Sequence, residues 1–116
     1  MENFKKYYKF PLKADNMGVY VRTADYEMAL MFCTILNDDI VKNIVDKLNG
    51  ESNKSSLPEW SIKHDIEIYY DRTRVMLVRG WEMLHGKGNN CYSLPEEDVI
   101  KTQKEFAEYV VNTLNS

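Results

Sequence analysis

Residues 60–71 alternate in polarity almost without a break, and no other feature limits the fold as much. Trp60, Ile62, Ile66, Ile68 and Tyr70 share one parity with His64, while Ser61, Lys63, Asp65, Glu67 and Asp71 take the other. A period of two marks a strand with one buried and one wet face, which predicts Ile66 inside and Glu67 outside. Residues 71–74 then read as a turn, and residues 75–83 as the returning partner strand. An isolated hairpin is marginal in water, so the rest of the 116 residues must supply more sheet and a cover.

More strands are predicted upstream. Residues 4–13 alternate Phe4, Tyr8, Phe10 and Leu12 against Lys5, Tyr7, Lys9 and Lys13. Pro11 cannot donate to a ladder, which makes this an edge strand or ends it there. Residues 19–22 and 26–34 read as two further strands. Asn37 is a natural helix N-cap, with Asp38 and Asp39 in the first turn, where the helix dipole favours negative charge. Ile40, Val41, Ile44, Val45 and Leu48 form its apolar stripe, and Gly50 suits the left-handed residue that ends a helix.

Residues 51–59 form a polar, Ser-rich connector, expected to be mobile. A last helix is predicted from about Pro95, with Ser93-x-x-Glu96 as a capping box and Val99, Ile100, Phe106, Ala107, Val110, Val111 and Leu114 buried. The order is βββαββα. Short connections favour antiparallel neighbours, which predicts one α+β domain over residues 1–116: a five-stranded, mainly antiparallel sheet with both helices on one face.

Composition narrows the function classes. With 15 Lys+Arg against 18 Asp+Glu the net charge is −3, so the chain as a whole is not a polycation. Apolar runs such as residues 29–33 fall far short of the roughly 20 residues that span a membrane. The N-terminal residues lack an apolar signal core, and Cys33 and Cys91 have no metal-ligand spacing, so a cytoplasmic protein with reduced thiols and no membrane is expected. No complete catalytic motif, metal site or cofactor-binding motif is legible.

Three constellations carry candidate chemistry. His64, Arg79 and Gln103 are polar residues on patterns that otherwise read as core. A four-residue turn at 71–74 would set His64 opposite Trp81 with Arg79 on the same inward side, giving a small pocket for an anion or carboxylate. A three-residue turn would instead bury Met76 and Val78 and expose Arg79. Lys5, Lys9 and Lys13 with Tyr7, joined by Tyr69, Arg72 and Arg74, make a candidate interaction surface. Residues 1–13 carry a net +3, which suits phosphate contacts, although lysines also guard sheet edges. The loop containing His85, Gly86, Lys87 and Gly88 precedes a helix as phosphate-binding loops do, without matching a phosphate-loop motif.

Compact, acidic, Tyr-rich chains without a catalytic motif are often interaction modules, including those carried by phages and mobile elements. The reading is therefore a non-catalytic module that binds another protein or a second copy of itself. The alternatives are nucleic-acid binding through the basic N-terminal segment, and a small-molecule site or minor enzyme around His64, Arg79 and Gln103.

Overall fold

The computed structural model describes residues 3–15, 18–51 and 59–116; the expected mobile connector falls largely outside them. It is an α+β fold with one six-stranded antiparallel sheet and three α-helices, rather than five strands and two helices. The strands are β1 (Lys13–Ala14), β2 (Tyr20–Arg22), β3 (Met28–Phe32), β4 (Trp60–Lys63), β5 (Glu67–Tyr70) and β6 (Thr73–Val78). The helices are α1 (Asp38–Leu48), α2 (Trp81–His85) and α3 (Glu96–Asn115). The sheet order is β1-β2-β3-β6-β5-β4.

One face of the sheet is covered. Val21, Leu30, Phe32, Ile68, Met76 and Val78 point into a single core that also takes Val41, Ile44, Val45 and Leu48 of α1 and Val99, Phe106, Val110 and Leu114 of α3. The other face is left open by the described residues and carries Tyr20, Met31, Leu77 and Glu67 in register, a common arrangement for antiparallel sheets. Ile100, expected inside, is 47% exposed, because the α3 stripe runs through Thr102 and Gln103 instead.

The expected strand at residues 4–13 does not form. Residues Asn3–Lys6 make a 3-10 turn, and only Lys13–Ala14 reaches the sheet. Phe4 and Tyr8 share strand parity, but they are also four apart and fit one face of a helical turn. Here they pack on α3, with Phe4 5.6 Å from Phe106 and Tyr8 stacked on Phe106 at 4.2 Å.

The predicted strand at 60–71 is itself a hairpin. It turns at His64 and Asp65, both left-handed with φ of 54° and 68°. Lys63 pairs with Glu67, so three residues separate the paired ends and the parity of the pattern survives the turn. Ile66 consequently sits half-buried in that turn, and Ile68 is the buried isoleucine.

The next turn also differs from expectation. Tyr70 pairs with Thr73 across Asp71 and Arg72, and a bulge between Ile68 and Tyr69 leaves Met76 and Val78 inward. β6 stops at Val78, and residues 81–85, expected to extend the strand, form α2.

The helix signals are mixed. The Asn37 side chain accepts from the Ile40 N–H at 2.8 Å, and Gly50 has a φ of 77°. The expected capping box fails: Pro95 precedes α3 without a side-chain cap, and Ser93 Oγ donates to the Gly86 carbonyl. Two asparagines stitch the helix ends to the outer parts of the sheet layer. Asn49 exchanges two hydrogen bonds with the Leu12 backbone, at 2.7 and 2.9 Å. Asn115 does the same at Trp60, at 3.0 and 2.9 Å.

Candidate functional site

At one end of the sheet, four pieces of chain line a cleft of about 360 Å³. One side is the β2–β3 loop with Tyr26 and Glu27. The opposite side is the junction of β6 and α2, with Arg79, Gly80, Trp81 and Glu82. Met28, Ile66, Leu77 and Met83 contribute apolar surface, and Gln103 of α3 reaches the cleft from behind.

The β2–β3 loop is held by its own hydrogen bonds. The buried Thr23 exchanges backbone bonds with Glu27 and Tyr26, and its hydroxyl accepts from the Glu27 N–H at 3.1 Å while donating to Asp25 at 2.5 Å. Ala24 N–H donates to the Lys9 carbonyl. The outcome is Tyr26 with a φ of 67° and 70% of its surface exposed. A left-handed backbone at a bulky residue costs on the order of 1–3 kcal/mol, and such strain clusters at functional sites. Arg22 beside it is engaged: one nitrogen donates to the Tyr26 carbonyl at 3.2 Å and another lies 3.6 Å from Asp15.

The facing junction is clamped at its backbone. Arg79 N–H donates to the Ala29 carbonyl at 2.9 Å, and the Tyr8 hydroxyl donates to the Arg79 carbonyl at 2.5 Å. Gly80 has a φ of 115°, and a Cβ there would stand 2.6 Å from the Tyr8 hydroxyl oxygen. Only glycine fits both the dihedral and the space. Gln103, itself buried, hydrogen-bonds the Tyr8 phenol. Burial holds that phenol above its ordinary pKa, and the Gln103 bond opposes part of the shift.

The Arg79 side chain contrasts with its backbone. Among the described residues its guanidinium has no hydrogen-bond acceptor and no ion pair, although it is only partly exposed. A guanidinium in a partly desolvated cleft gains most from a planar acceptor such as a carboxylate. Trp81, 39% exposed, stands next to it. Glu27 and Glu82 put negative charge on the same rim, so the cleft presents both signs around apolar walls.

Arg79, Trp81 and Gln103, singled out together in the sequence, thus lie on one cleft. His64, expected with them, does not. It sits in the exposed β4–β5 turn and pairs with Glu67, which also accepts from Arg74 at 2.8 Å. These two partners, His64 first, hold the Glu67 carboxyl below the usual carboxylate range. The sequence parity that predicts His64 inward runs unbroken through the turn.

The candidate interaction surface divides between two sides of the molecule. Tyr69 and Arg74 lie on the open sheet face, where Lys63 Nζ sits 4.5 Å from the Tyr69 ring, and Arg72 is exposed in the adjacent turn. Lys5 and Tyr7 belong with the 3-10 turn packed on α3. Tyr7 meets Tyr92 edge-on at 4.7 Å, and Lys5 lies over the Phe10 and Tyr109 rings. Lys9 and Lys13 are exposed, and Lys13 lies 5.8 Å from the Tyr26 ring. Phe4 and Tyr8 are core, so those rings are not offered for base stacking.

The glycine loop has a structural use. Gly86 ends α2, and a Cβ there would collide with the Glu82 carbonyl. His85 Nδ1 bonds the Leu94 carbonyl at 2.9 Å. The N–H groups of Gly86, Cys91, Tyr92, Ser93 and Leu94 all donate to carbonyls within this region, none toward a shared anion position. Lys87 and Gly88 are exposed in the same loop.

No family model, curated protein or solved structure matches the chain. Among the described residues no helix is long and apolar enough to cross a membrane.

Proposed function

We propose that this protein is a non-catalytic interaction module that grips a segment of a partner protein in the cleft between Tyr26 and Trp81. The observation that carries the reading is the Arg79 guanidinium, without an acceptor among the described residues on a backbone fixed from two sides. Arg, Trp and Tyr are the side chains that dominate binding energy at protein interfaces. Here Arg79, Trp81 and Tyr26 converge on a single concavity, which Arg22 also lines. In this reading Arg79 takes a carboxylate of the partner, Trp81 and Tyr26 flank an apolar side chain, and Glu27 and Glu82 select for a neighbouring cation.

The test is selection of a random peptide library on the wild-type protein, with the Arg79→Ala/Trp81→Ala double variant used for counter-selection. Enriched peptides should carry an acidic residue next to a large apolar one and bind the double variant at least about tenfold more weakly. Peptides that bind both proteins equally would refute the cleft as the binding site.

The cleft volume supports a second reading. About 360 Å³ falls within the range of small-molecule sites, and the buried Gln103 amide reaches it. An apolar carboxylic acid is the ligand class this favours. A panel of such acids read by thermal shift separates this reading from the peptide one.

A further inference from the structure

The sheet has a second unsatisfied feature, at its far edge. β4 pairs with β5 on one side and, among the described residues, with no strand on the other. The direction of each backbone group on β4 can be fixed. Asn115 bonds both the N–H and the C=O of Trp60, so those two groups point outward, away from β5. Asp71 N–H donates to the Glu59 carbonyl at 2.9 Å, so Glu59 points inward. Antiparallel strands alternate, so Ser61 and Lys63 also point inward and Ile62 points outward. Trp60 and Ile62 therefore hold the backbone groups available at this edge, and among the described residues only those of Trp60 are taken.

The geometry points to a second copy of this chain as the occupant, its β4 running antiparallel to the first about a two-fold axis through Ser61. Outward residues must face outward residues to exchange hydrogen bonds. About Ser61, Trp60 faces Ile62 of the second copy and Ile62 faces Trp60, which pairs all four outward groups of each chain. The same register sets Glu59 of each copy opposite Lys63 of the other, twice, on one face of the joined sheet. Opposite charges directly across a ladder are favourable, and both side chains are exposed.

The neighbouring registers are poorer. An axis at Ile62 sets Glu59 against Asp65 and asks the left-handed His64 to pair as a strand. An axis at Trp60 leaves Lys63 without an opposing charge on β4.

Asn115 gains a role in this arrangement. Its side-chain amide stands in for one peptide unit of a neighbouring strand, and it must leave Trp60 when the second copy arrives. It therefore competes with association rather than supporting it.

Sedimentation velocity over a wide concentration range tests the pairing, with circular dichroism to confirm each variant is folded. The wild type should show a monomer–dimer equilibrium. Glu59→Lys sets like charges together at both symmetry-related contacts and should weaken the dimer about tenfold. Adding Lys63→Glu reverses both signs and should restore it. Asn115→Ala should strengthen the dimer. A wild type and an Asn115→Ala variant that both stay monomeric throughout would overturn the proposal. So would a dimer indifferent to Glu59→Lys, because Glu59→Lys leaves the fold itself unstrained opposite Asp71.

Discussion

Behind the cleft, Tyr8 is fully buried, stacked on Phe106, with its hydroxyl bonded to the Arg79 carbonyl. In front of it, Tyr26 and Trp81 stand in solvent, and the Arg79 guanidinium meets no acceptor among the described residues. The two regions share one dipeptide, Arg79 and Gly80, and treat their polar groups in opposite ways. The wall satisfies its hydrogen bonds at the expense of freedom: Gly80 tolerates no Cβ, and Gln103 is spent on Tyr8. The rim leaves its groups open but holds them on a backbone that the wall has already fixed. Preorganisation of this kind lowers the entropy cost of binding without adding a contact. The division of labour implies that stability and recognition can be mutated apart.

The largest effect should come from breaking the wall where it meets the rim. Gly80→Ala forces a β-carbon into the Tyr8 hydroxyl at a backbone angle that L side chains rarely adopt. It should cost about 2–4 kcal/mol in a urea melt, since Tyr8 is held by Phe106 and cannot swing aside. Tyr8→Phe should cost less, about 1–2 kcal/mol near neutral pH, through the orphaned Arg79 carbonyl.

Tyr8→Phe should also change the pH profile. The Tyr8 phenol is raised in the folded state, so above about pH 10 the unfolded chain loses its proton while the folded one keeps it. Wild-type stability should therefore fall as the pH rises through that range, and the fall should be shallower in Tyr8→Phe. Parallel alkaline profiles would mean that the buried phenol does not control it. The smallest effect on stability belongs to the rim: Arg79→Ala and Trp81→Ala should each change the melt by less than about 1 kcal/mol. A rim variant that unfolds the protein would erase the distinction between the two regions.

Much of this arrangement was legible in the sequence, and the failures have definite causes. Asn37, the two acidic residues after it and Gly50 announced α1, because capping is a local effect that the chain carries with it. The antiparallel α+β architecture followed from short connections. The hairpin at 60–71 was hidden because a three-residue turn preserves parity. Only His64 and Asp65, residue types that tolerate a left-handed backbone, hinted at it. The N-terminal segment departs from its predicted strand because Phe4 and Tyr8 fit both periods, and α3 rather than the sheet decides between them. Gly80 within an expected strand was the one local sign that β6 would stop.

The cleft was only half readable. Arg79, Trp81 and Gln103 stood out as residues at odds with their patterns. Tyr26 did not, since nothing local marks a tyrosine that tertiary contacts will force to a positive φ. That the Arg79 guanidinium meets no acceptor among the described residues is a property of the packed chain and has no counterpart in sequence.

The most direct measurement is amide chemical-shift mapping of the labelled protein with a peptide selected as described above. Shifts should concentrate at Tyr26, Glu27 and residues 77–82, and should vanish in the Arg79→Ala/Trp81→Ala variant. Shifts centred instead on Lys5, Lys9 and Lys13, or spread over the open sheet face around Tyr69, would contradict the assignment of the cleft as the recognition site.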